Sequence, residues 1–101
     1  MRDGMHDQLC AADFDTLPQR RRGVIFDNTV RMLEVVEIVQ LRAGALRSAP
    51  PFAVLLRDNG VNTSMPQGTY LYHHPVHGEL TLFTVPQGPD AHGMRYELVF
   101  N

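Results

Sequence analysis

Three histidines in one short stretch, His73, His74 and His77, spell HHxxH, and a fourth, His92, stands in the next turn region. Neutral imidazole is a common zinc ligand, so metal binding by His74, His77 and His92 is the first chemistry to weigh. Spacing works against it. His73 and His74 are adjacent in an extended run, so their side chains leave opposite faces. His74 and His77 can still meet across the turn between them. Zinc sites ordinarily add cysteine or carboxylate ligands at recognisable spacing, and none is evident here. The expected arrangement is a His74 hydrogen-bonded within its turn and the other imidazoles in solvent, with no metal and no cofactor.

The remaining reactive pairs are sparse. Cys10 with His6 offers a thiol and a base, a pairing that needs a depressed thiol pKa. A small, partly buried side chain near a mobile chain end is the simpler expectation for Cys10. Asp90 with His92 has the makings of an orienter and a base. No nucleophile or oxyanion cradle accompanies them, so a turn with a local hydrogen bond is expected. Glu34 and Glu37 face opposite ways if their segment is a strand and are merely exposed if it is a helix. Arg20-Arg21-Arg22 invites a phosphate, but no second basic cluster extends it, so a solvated loop is expected. The chain has no glycine-rich phosphate loop, no GxSxG and no HExxH.

The elements that position these residues centre on Gln67 to Pro86, which reads QGTYLYHHPVHGELTLFTVP. Two apolar-rich runs, Thr69 to His74 and Glu79 to Val85, flank Pro75-Val76-His77-Gly78. Proline presets a turn dihedral and glycine accepts positive φ, so the chain reverses there and the runs pair antiparallel. Gln87 to Gly93 is read as a second turn. Met94 to Phe100 is the last strand, with Tyr96, Leu98 and Phe100 on one face and Arg95, Glu97 and Val99 on the other. Upstream, Val24-Ile25-Phe26 is a short strand and Asp27-Asn28 a turn. Val30 to Leu41 fits neither period cleanly, but its β-branched residues favour a long, bent strand with one bulged residue, its Glu34 and Glu37 facing water. Arg42 to Pro51 is a loop and Phe52 to Arg57 a strand apolar on both faces. Asp58-Asn59-Gly60 is a turn, and Val61 to Pro66 a polar loop. Leu9, Ala12, Phe14 and Leu17 line a short helix that plugs one end of the fold with Phe14 and stops at Pro18.

The fold class expected is mainly β: a small antiparallel barrel or sandwich of about six strands with a short N-terminal helix. Residues 1–8 are expected to fray and 9–101 to form a single all-β domain. The chain has 101 residues, 44% apolar and 20% charged, with a net charge of −2, so nothing electrostatic argues for nucleic acid or an anionic membrane. One cysteine excludes an internal disulfide, no apolar leader opens the chain, and no window reaches membrane-span length. A cytoplasmic setting is the simple reading. Met5, Met32, Met65 and Met94 fall in non-core contexts. Val54-Leu55-Leu56 demands either a sheet closed on itself or a covering chain.

The second half resembles a family of small bacterial domains of unknown function. The pattern is Gln67-Gly68-Thr69-Tyr70, His74-Pro75 and Gly78, then Leu80, Leu82-Phe83, Val85-Pro86, Gly88, Asp90 and Gly93. It closes on Tyr96-Glu97, Val99 and Phe100-Asn101. Phe14, the Leu33 strand and Pro51-Phe52 match more loosely. The resemblance implies a stand-alone all-β domain whose relatives often accompany phage-tail-like proteins, and it carries over no catalytic residue. Its positions read as packing and turns: Gly78 and Gly93 for positive φ, Gln67-Gly68 as a loop corner, and Tyr70, Leu82, Phe83, Tyr96 and Phe100 as core or half-core. Asn101 can satisfy backbone groups at a strand end.

Taken together, these residues lead to a non-enzymatic structural or protein-interaction domain, an accessory of a phage-tail-like assembly that self-associates or binds a protein through sheet edges and loops. The alternatives are a small-ligand barrel lined by Tyr70, Tyr72 and Tyr96, and a histidine-based metal protein.

Overall fold

A computed structural model describes residues 9–15, 21–26, 28–41, 51–74 and 77–100. Expectations resting on His6, Leu17, Pro18, Arg20, Asp27, Pro75, Asn101 and residues 42–50 lie outside the described residues.

Helix α1 is Ala12–Asp15. Six strands follow: β1 (Arg21–Phe26), β2 (Thr29–Gln40), β3 (Phe52–Asn59), β4 (Gly68–His74), β5 (Gly78–Asp90) and β6 (Gly93–Phe100). They close into a barrel in the order β1-β2-β3-β6-β5-β4, with every pairing antiparallel. Closure explains the doubly apolar β3. Phe52, Val54 and Leu56 face the interior, and Ala53 is covered on the outside beside Val39 and Val99. Among the described residues, every strand of the closed barrel has a hydrogen-bonded neighbour on both sides.

β2 is the long, bent strand. Its register with β3 shifts between Val35 and Glu37, so Val36 is the extra residue. Leu33 and Val35 point inward before the bulge, and the phase changes after it. That shift mixes the two periods in the sequence, because a bulge adds one residue to a two-residue repeat.

Several expectations are corrected. Gln87 to Asp90 is strand, not turn: β5 continues past a register shift at Pro86/Gly88, and the turn is only Ala91-His92. Phe83 is 54% exposed, because alternation from buried Leu82 and Thr84 turns it outward. Met65 and Met94 are core residues, and of the methionines described only Met32 is exposed. Glu37 faces water as expected, but Glu34 is half-buried and paired with Arg57 at 3.7 Å.

Each mouth of the barrel is covered. At the first, β4 and β6 end and β3 and β5 begin; Leu9 and Phe14 seal it, both essentially inaccessible. Phe14 packs against Phe52, Phe100 and His74 with ring centroids 6.0, 5.4 and 5.5 Å away. At the second, β3 ends and β4 begins on opposite sides of the ring of strands, so residues 60–67 cross between them. That crossing seats Met65 in the core, where its N–H donates to Tyr96 Oη at 2.9 Å.

Candidate functional site

The densest polar constellation lies where α1 meets the β4–β5 hairpin. α1 is a single turn, and a single turn leaves its backbone groups unpaired by its own residues. The carboxylate of Asp13 reaches back to the Cys10 N–H through Oδ2 at 2.8 Å, the reach-back half of a capping box. The Asp13 carbonyl is met by His74 Nε2 at 2.6 Å, and Asp13 Oδ1 by His77 Nε2 at 3.0 Å. The His77 N–H donates to His74 Nδ1 at 3.1 Å.

These partners fix both tautomers. His74 Nδ1 accepts an N–H, so its proton is on Nε2, which donates to the Asp13 carbonyl. Asp13 Oδ1 belongs to an acceptor-only carboxylate, so His77 Nε2 carries hydrogen too. Burial pushes the Asp13 carboxyl up, but the Cys10 N–H and the His77 imidazole outweigh it and hold the carboxyl below its ordinary value. His74 is buried, with Phe14 edge-on to its ring.

The expected turn hydrogen bond of His74 is present. His77, expected in solvent, is instead held by Asp13. His73 is exposed and points the other way, 3.8 Å from Glu79. His92 lies at the opposite mouth, so His74, His77 and His92 do not converge. Among the described residues, no group of three histidine, cysteine or acidic side chains is arranged to hold a metal ion. Asp13 sits in a short helical turn, where a carboxylate commonly serves as a cap. Nothing local marks it as the partner of a histidine 64 positions later.

The second mouth carries a different set. Asp90 Oδ1 accepts the N–H groups of His92 at 2.8 Å and Gly93 at 3.0 Å, closing the expected turn. Those N–H groups, the first of them above all, hold the Asp90 carboxyl below its ordinary value, with Arg57 assisting. Arg57 lies 3.4 Å from Asp90 and donates to Asn59 Oδ1 at 2.7 Å, and Asn59 in turn donates to Glu34. Arg31 pairs with Asp58 at 3.1 Å and lies over the Phe26 ring. This is a structural charge network, with no nucleophile within it.

The three tyrosines do not form one lining. Tyr72 and Tyr96 are buried, Tyr72 sharing a hydrogen bond with Thr84 Oγ1 at 2.8 Å and Tyr96 accepting from Met65. Burial raises the Tyr72 phenol well above its ordinary value, although Thr84 pulls the other way. Tyr70 is half-buried, packs edge-on to Phe26, and donates to the Pro66 carbonyl. Of the motif positions, Gly78 takes φ +77° in its turn. Gly93 lies against the Asp58 carbonyl so closely that a methyl there would overlap it.

A family described as a domain of unknown function, DUF6916, matches residues 9–100. The chain belongs to the DUF6916 family. The match spans α1 and all six strands, so the lid formed by Leu9 and Phe14 falls within it. Among curated proteins and among solved structures, no significant match was found. No helix among the described residues is long and apolar enough to cross a membrane.

Proposed function

We propose that this DUF6916 domain is a non-enzymatic protein-interaction module, an accessory of a phage-tail-like assembly. The observation that carries the interaction role is an apolar patch on the outer wall of the barrel. Val30, Met32 and Phe83 are 55%, 54% and 54% exposed. Register gathers them. Val30 lies opposite Ile25 and Ile25 opposite Leu71, while Met32 lies opposite Gly23. Gly23 has no side chain, and Val30, Met32 and His73 close over it, since a Cβ there would meet all three within 3.6 Å. Thr69 brings Phe83 alongside on the next strand pair.

Among the described residues, the polar clusters at the two mouths serve the fold itself, in turns, lids and ion pairs, which supports a binding surface over a reaction centre. The association with phage-tail-like proteins that the sequence resemblance implies supplies the class of partner. Tyr72 and Tyr96 are packed as core, so they lend no support to a ligand barrel.

The double substitution Met32→Lys with Phe83→Lys tests the reading, because both side chains are exposed and a charge placed there does not enter the core. The wild-type domain is expected to co-sediment with purified tail-like particles, and the double variant to remain in the supernatant with an unchanged melting temperature. Equal co-sedimentation of both proteins, or of neither, would overturn it.

A further inference from the structure

We infer that the N-terminal lid is a pH-sensitive latch, released from the first mouth when His74 takes up a proton. The inference stands on the hydrogen-bond pattern and is independent of the outer patch. His74 is 4% exposed and serves the lid in one protonation state only. Its Nε2–H donates to the Asp13 carbonyl, and its bare Nδ1 accepts the His77 N–H at 3.1 Å. A second proton would sit on Nδ1, directed at that N–H. The imidazolium would also be charged in a nearly dry site against the edge of Phe14. The hairpin contact must therefore break, or the lid must lift to admit water.

The neighbours set the sign. The Asp13 carboxylate on the lid and His77 on its own hairpin are titratable groups tied to His74 through these hydrogen bonds. β5 places Gly78 opposite His74, and Glu79 pairs with the outward His73. β1 brings Arg22 to the next register position after Gly23 opposite His73. His77 Nε2 donates to the Asp13 carboxylate whether its ring is neutral or cationic, so that contact survives in either state. At His74 the closed lid binds one proton fewer than the open one, so that residue's contribution favours closure above the ordinary histidine pKa and is lost as pH falls below it.

The test follows imidazole resonances and amide exchange in the whole chain, from about pH 8 to about pH 5. Exchange at Asp13 and Phe14, whose N–H groups bond within the lid, is expected to speed up about tenfold per pH unit beyond the intrinsic rate once His74 begins to protonate, one proton being taken up per opening. Exchange at Val54 and Leu56 in β3 should keep its intrinsic pH dependence. His74→Gln keeps an N–H donor without a titrating ring and is expected to abolish the lid response, whereas His77→Gln should retain it. Lid protection that is constant over the range in wild type overturns the inference. So does an undiminished response in a folded His74→Gln variant.

Discussion

The two mouths of the barrel are closed by the same physics and fastened by different chemistry. At the first, Leu9 and Phe14 cover the core. At the second, Met65 does so from a crossing loop. Each lid buries apolar area and ties one backbone group to an inward-facing ring, His74 at one end and Tyr96 at the other. A phenol stays neutral through the physiological range, whereas an imidazole does not. The two lids thus differ in the kind of group that fastens them.

The largest effects should come from emptying the lids. Phe14→Ala removes an aromatic side chain that touches two other rings and His74, and about 4 kcal/mol of stability should be lost. Met65→Ala should cost about 3 kcal/mol, since methionine is smaller and the crossing loop has more freedom to collapse. Denaturant unfolding of both variants measures this. The comparison breaks if Met65→Ala is neutral, which would leave only one mouth with a working lid.

Next come the glycines of the two hairpins. Gly93→Ala forces a methyl into the Asp58 carbonyl, and backbone cannot rotate away, so a loss of about 3 kcal/mol is expected. Gly78 has open space around it and costs only the left-handed conformation, about 1 kcal/mol. Thermal melts of the two variants should rank in that order. Equal losses would mean that conformation, not close approach, governs both turns.

The smallest effect is the acid response of the second mouth. Asp90 is held below its ordinary value in the folded state, so its contribution is present above about pH 4 and is lost as pH falls through the folded value. Asp90→Asn should lower the unfolding midpoint at neutral pH and flatten its fall in acid. It should leave the region near pH 6.5, where the first mouth is expected to respond, unchanged. A variant that alters the near-neutral region instead would show that the mouths are coupled.

Much of this was legible in the residues. Alternation at Tyr96, Leu98 and Phe100 placed β6 and its inward face, and the β-branched run with a phase slip marked β2 and its bulge. The doubly apolar β3 anticipated closure, and Phe14 was recognisable as a plug. Phe83 was misread because it sits beside core residues in an apolar run, where a one-residue step reverses the face. Met65 was misread because its loop is polar, and only the path of the chain across the mouth turns it inward. The end of β5 was hidden by Gly88 and Pro89, turn-forming residues that a register shift accommodates within a strand.

The site was less legible than the fold. His74 in a turn hydrogen bond and Asp90 closing its own turn are local facts, and a local reading finds them. Asp13 with His74 and His77 is not local, nor is the gathering of Val30, Met32 and His73 over Gly23.

By itself the sequence determined strand periodicity, the hairpin reversals and the need to cover both faces of β3, because these depend on residues a few positions apart. Tertiary structure alone decided which apolar side chains remain outside, which loop closes the second mouth, and which carboxylate meets which imidazole. Those outcomes depend on register and closure around a ring of six strands, and no short window of residues carries that information.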